Sequence, residues 1–236
     1  MGFKKSTYII VALFFLKSFP SFSQEIAGSF KEEIKMFIEV KYLIKLPENQ
    51  IEKFPLLVFL HGSGERGTNI ELVKNHSPFT YQSLMQTDVA ILAPQCPENT
   101  WWNTNEIYKL IQSICKQYNI DKSRIYLTGL SMGGWGTWKL ATEHPELFAA
   151  VAPVCGVTDT NIFKNVEVLK NTPVHIFHGA LDDIVSPNMS IDIYQKLKKV
   201  NPTCSLTIFP NDNHNSWDST YSNPKFYEWL FAQKKE

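Results

Sequence analysis

The chain has 236 residues, 44% of them apolar and 19% charged, and its 23 basic and 23 acidic side chains cancel to a formal net charge of zero. That length suits one α/β domain with a substantial core, and the apolar content excludes an intrinsically disordered chain. The charge balance removes the electrostatic case for a nucleic-acid partner.

The amino terminus has a character of its own. Lys4 and Lys5 form a basic start, residues 8–16 an apolar run, and Ser21-Phe22-Ser23 a small-x-small pattern before Gln24. This is the layout of a signal peptide, and the run is far shorter than the roughly 20 residues that span a bilayer. The expected organisation is a leader over residues 1–23 and a single folded domain over 24–236. The protein is expected to be exported, periplasmic or secreted, with no stable membrane anchor. Export permits disulfides. Spacing alone does not choose among the pairings of Cys96, Cys115, Cys155 and Cys204, and none has metal-ligand spacing.

Strand and helix patterns then alternate. Residues 37–46 read as an early, antiparallel strand, followed by apolar strands at 56–60, 89–93, 125–128, 149–154, 174–177 and 205–209. Helical patterns fall at 105–118, 134–143, 188–200 and 225–233. Such alternation predicts an α/β fold with a mostly parallel, doubly wound sheet covered on both faces, a three-layer sandwich. No insertion is long enough for a large lid.

The strand at 125–128 runs into Gly129-Leu130-Ser131-Met132-Gly133 and then a helix. Strand, G-x-S-x-G, helix is the setting of a nucleophile elbow, in which a serine on a sharp, strained turn presents its hydroxyl above the sheet edge. A nucleophilic serine needs a base, and the base an orienting acid. Asp182 and Asp183 follow the strand at 174–177, and His214 follows the strand at 205–209. Both would therefore lie at the carboxyl ends of parallel strands, where open α/β sheets bind ligands. Asp182 is preferred over its neighbour. Asp212 and Asp218 are too near His214 in sequence and read as loop-capping carboxylates.

The other histidines have quieter readings. His61 and His178 precede glycines at strand ends and brace loops, His175 sits inside a strand, His144 ends a helix and His76 lies in a polar loop. For the oxyanion, the expected donors are the backbone N–H of Met132 and that of Ser63, in the glycine-rich loop His61-Gly62-Ser63-Gly64-Glu65-Arg66-Gly67. No Gly-Lys-Ser/Thr follows this loop, which argues against a phosphate-binding loop.

These segments, with Ala93-Pro94-Gln95-Cys96-Pro97 and His214 to Trp217, resemble the α/β-hydrolase carboxylesterase group. That group includes phospholipase/carboxylesterase, dienelactone-hydrolase-like and feruloyl-esterase-like enzymes. The similarity runs over roughly residues 37 to 233. It implies an α/β-hydrolase fold and a serine esterase with Ser131, Asp182 and His214 as catalytic residues, and no metal or organic cofactor. It supports Asp182, which matches the aspartate of the group's His-Gly-x-x-Asp pattern, and it supports Ser63 and Met132 as oxyanion donors. The chain departs from the group at Asn213, where glycine is usual, and at Val185-Ser186-Pro187, where Val-Pro is common.

The expected activity is hydrolysis of short-chain or aromatic acyl esters, on small molecules or on polysaccharides. Trp102 and Trp217 are expected to line the substrate pocket, since aromatics near a hydrolase mouth stack on sugars or phenolic groups. The alternatives are a serine peptidase of the prolyl-oligopeptidase type, an interfacial lipase and a non-catalytic binding module on the same fold.

Overall fold

Seven runs of apolar and β-branched residues pair into one sheet: β1 (Tyr42–Lys45), β2 (Phe54–Leu60), β3 (Ala90–Pro94), β4 (Ile120–Leu130), β5 (Ala150–Val154), β6 (His175–Gly179) and β7 (Ser205–Phe209). The computed structural model describes residues 37–48 and 50–235, so the expected leader lies outside the described residues. From Ile38 onward the chain forms one compact unit. The strand order is β1-β3-β2-β4-β5-β6-β7, and all neighbours are parallel except the β1–β3 edge pair.

The helices are α1 (Thr104–Gln117), α2 (Met132–Glu143), α3 (Thr160–Asn165), α4 (Pro187–Lys198), α5 (Trp217–Tyr221) and α6 (Pro224–Phe231). Three 3₁₀ segments lie between Ser63 and Leu84, and a fourth spans Val166–Leu169. The four longer helices begin within a few residues of their expected starts. The short α3 and α5 and the 3₁₀ turns were not foreseen, because segments of this length carry too few residues to show a period.

Alternation along β2 shows how the sheet is covered. Leu56, Val58 and Leu60 join a core with Ile107 and Ile111 of α1, Trp138 of α2 and Ile193 of α4. Leu57 and Phe59 face the other way, into a core with Tyr221 of α5 and Phe226 and Leu230 of α6. Successive strand residues point to opposite faces, so a strand buried throughout needs a helical layer on each side. This is an α/β-hydrolase fold in three layers. Because β2 lies between β3 and β4, the chain reverses its winding direction there, and the crevice at that switch point holds the loops described next.

Candidate active site

Ser131 closes the turn between β4 and α2. Its backbone sits at φ 53° and ψ −115°, a region that side chains other than glycine rarely occupy. Neighbouring groups hold it there: its N–H donates to the Val154 carbonyl at 3.0 Å, and its own carbonyl accepts the Trp135 N–H at 3.1 Å. A Cβ on Gly133 would collide with the Leu60 carbonyl at the end of β2. Glycine there lets β2 and the start of α2 approach as closely as the elbow demands.

The loops after β6 and β7 bring the other two groups. His214 Nε2 lies 2.9 Å from Ser131 Oγ, and His214 Nδ1 lies 2.8 Å from Asp182 Oδ2. Nδ1 faces a carboxylate and therefore carries the ring proton, which leaves Nε2 to accept the serine hydroxyl. The other oxygen, Asp182 Oδ1, accepts the backbone N–H groups of Ile184 at 2.9 Å and Val185 at 2.8 Å. Burial alone would push the Asp182 carboxyl up. The hydrogen bonds from His214, Val185 and Ile184, with the His214 charge, outweigh burial and hold it below the usual carboxylate range. Asp183 has no place in this chain of hydrogen bonds.

A second imidazole serves the same carboxylate. His178 is fully buried, and its Nε2 donates to the Val185 carbonyl at 2.9 Å while standing 3.0 Å from Asp182 Oδ2. Two acceptors on one side put the proton on Nε2. Nδ1 then accepts the Ser190 hydroxyl, from the first turn of α4, at 2.7 Å. Burial lowers the His178 pKa, so the ring is a neutral donor. The sequence reading makes His178 a loop brace, and the His-Gly-x-x-Asp pattern holds His178 and Asp182 together without showing that one bonds the other.

The loop after β2 is braced from below by His61, which is buried and whose pKa burial lowers to about 4. Its Nε2 accepts the Cys96 N–H at 3.0 Å, and its Nδ1 donates to the Gly62 carbonyl at 2.6 Å. Trp102 supports the same residue, donating its indole N–H to the His61 carbonyl at 3.2 Å and meeting the ring edge-on. Ser63 opens a 3₁₀ turn within this loop, and Met132 opens α2. First-turn N–H groups have no partner within their own helix, so both are free to serve an external acceptor. The two loops follow β2 and β4, adjacent strands that pair Leu60 with Gly129.

The two expected pocket tryptophans part company. Trp217 is half-buried, with its ring edge-on to His214 at 5.4 Å and 5.5 Å from the ring of His76. Trp102, at 3% exposed, supports the β2 loop from beneath and also contributes to the wall of a surface cavity. Its neighbour Trp101, at 53% exposed, is the one that meets solvent. The side chains alternate along this stretch, and nothing in the pair Trp101-Trp102 tells which one turns outward.

Cys155 also borders the site. Its Sγ lies within 4.8 Å of a carboxylate oxygen of Asp182 and a ring nitrogen of His214, at a backbone φ of 40°. These three could in principle ligate a metal ion. However, Asp182 and His214 are already bound to each other, and burial pushes the Cys155 thiol up to about 12. A metal would have to break the one and deprotonate the other. All four cysteines are free thiols.

A family model described as phospholipase/carboxylesterase matches residues 93–223, a span that holds Ser131, Asp182 and His214. The chain belongs to that family. Among solved structures, this carboxylesterase-family chain is similar to a thermostable esterase, at 36% identity over 83% of this chain and 60% of that one, with a TM-score of 0.76. Est1E from Butyrivibrio proteoclasticus shares the fold, at 18% identity and a TM-score of 0.63 over 83% of this chain and 95% of that one. Among curated proteins, the bifunctional acetylxylan esterase/xylanase XynS20E of Neocallimastix patriciarum is 28% identical over 148 residues, 59% of this chain and 21% of that protein. The probable acetylxylan esterase A of Aspergillus terreus is 30% identical over 131 residues, 48% of this chain and 42% of that protein. The chain thus spans between about a fifth and two fifths of these two curated relatives.

Proposed function

We propose that this protein is a serine carboxylesterase that removes short acyl groups from polysaccharides. One observation carries the reading: the unbroken chain of hydrogen bonds from Ser131 through His214 to Asp182, at 2.9 and 2.8 Å. The acetylxylan esterases among its relatives support acylated polysaccharide as the substrate class.

In this reading His214 takes the proton of Ser131 as Oγ attacks the ester carbonyl, and Asp182 fixes the ring tautomer and stabilises the imidazolium. The N–H groups of Met132 and Ser63 meet the oxyanion of the tetrahedral intermediate. The sugar hydroxyl leaves with the proton that His214 carries, and the acyl group remains on Ser131. Water, activated by the same imidazole, then frees the carboxylate. Trp217, packed against His214, borders the acyl group.

The test is initial rates on p-nitrophenyl esters from acetyl to lauroyl, and acetate release from acetylated xylan, with Ser131→Ala beside the unaltered chain. The expected result is a short-chain preference that falls by about a thousand-fold or more in the variant. Equal rates from the two proteins would remove the serine mechanism.

A further inference from the structure

A cavity of about 520 Å³ opens beside the candidate active site without including Ser131 or His214. Lys41, Gln95, Trp101, Asn103 and Glu106 contribute to its walls. Its size is in the range of small-ligand sites, roughly 300–1,000 Å³.

Trp101 is exposed yet held in place. Its ring meets that of Trp135 edge-on at 5.1 Å, and the Trp135 indole N–H donates to Asp159 Oδ2 at 2.9 Å. An aromatic ring fixed in solvent offers a flat apolar face at little entropic cost to whatever stacks on it.

Gln95 supplies an independent observation. It is 4% exposed, and its Nε2 donates to the carbonyls of Glu65 at 3.1 Å and Asn69 at 2.8 Å. Those two bonds fix the amide, and with it the wall of the cavity that Gln95 lines. A fixed apolar face over a rigid wall that also carries Lys41, Asn103 and Glu106 suits a pyranose ring, which has C–H groups on its faces and hydroxyls at its rim. The mixed signs of Lys41, Glu39 and Glu106 argue against an anionic ligand.

The cavity is also tied to the reacting centre. Trp135 lies one helical turn beyond Ser131. Arg66 Nη1 donates to the Thr100 carbonyl at 3.2 Å, and Trp102 to that of His61, so residues 100–102 are fastened to the loop that bears Ser63. We propose that this cavity is a glycan subsite, in which Trp101 stacks on a sugar ring of the polysaccharide main chain and the polar side chains of the wall meet its hydroxyls. It rests on the reading of Ser131 as the nucleophile toward glycan-linked esters.

The experiment is calorimetric titration of the full chain with xylohexaose, which carries no ester, alongside kcat and KM on acetylated xylan and on p-nitrophenyl acetate. The expected result is that Trp101→Ala weakens xylohexaose binding at least ten-fold and Trp101→Phe restores part of it. In Trp101→Ala, kcat/KM on the polymer should fall about ten-fold further than on p-nitrophenyl acetate, mainly through KM. Absence of xylohexaose binding, equal binding by the unaltered chain and Trp101→Ala, or equal losses on the two substrates would each overturn the subsite. Failure of the unaltered chain to cleave p-nitrophenyl acetate would instead overturn the esterase reading, while the titration still decides the cavity.

Discussion

His178 Nε2 and His214 Nδ1 converge on a single atom, Asp182 Oδ2, at 3.0 and 2.8 Å. A neutral donor on that oxygen stabilises the carboxylate and fixes where it stands. Removing the donor, as in His178→Phe, should cost Asp182 a hydrogen bond worth about 1.5–3 kcal/mol to a charged group and let the carboxylate move off His214. On a p-nitrophenyl ester kcat should then fall roughly ten-fold or more. Initial rates, with circular dichroism to establish that the fold is kept, check this. An unchanged kcat would mean that His178 serves only the loop that ends at Val185.

Gly179 ends β6 where the loop carrying His214 crosses it, and a Cβ there would collide with the carbonyl oxygens of Asp212 and Asn213. Gly179→Ala should therefore displace His214 from Ser131. A shift of about 1 Å at a catalytic group costs on the order of a hundred-fold. Gly64→Ala is the comparison, since a Cβ there meets nothing within 4 Å. Parallel kcat/KM and circular dichroism measurements would separate a displaced loop from a lost fold.

Much of this arrangement was legible in the sequence because it is local. The elbow is one pentapeptide between a strand and a helix, and the two later loops each follow an apolar strand of readable length. What escaped depends on contacts between distant segments or on the direction of single side chains. The partnership of His178 with Ser190 needs α4 packed against β6. The cavity draws together residues 39–41, 67–68 and 95–107, which only the β1–β3 pairing and the loop after β2 make neighbours. Cys155 adopts a positive φ without being glycine, so no composition rule marks it.

Acid sensitivity follows from the buried imidazoles. Burial lowers the pKa of both His61 and His175 to about 4, from the usual histidine value of about 6.5. The unfolded chain thus binds more protons than the folded one between about pH 6.5 and 4. Stability is fully present above that window and is lost as pH falls through it, by up to about 1.4 kcal/mol per pH unit for each group. His175→Gln cannot titrate yet can still bond Thr207, the 2.8 Å partner of His175 Nε2. It should flatten the slope of melting temperature against pH by its own share, leaving those of His61 and of the similarly lowered His178. A slope equal to that of the unaltered chain would place the acid sensitivity elsewhere.

The leader reading predicts a processed protein. Expressed in a host that exports it, the protein should begin at Gln24, after Ser21-Phe22-Ser23. Intact mass spectrometry of the secreted or periplasmic fraction gives the answer, and an unprocessed amino terminus there would remove the assignment.

The four unpaired thiols bear on how this protein can be handled. With no covalent staple to form, the described fold asks for neither an oxidant nor a disulfide isomerase, and a reductant has no bond in it to break. Burial that keeps Cys155 and Cys204 protonated, with pKa values pushed up to about 12, also makes them slow targets for alkylating reagents.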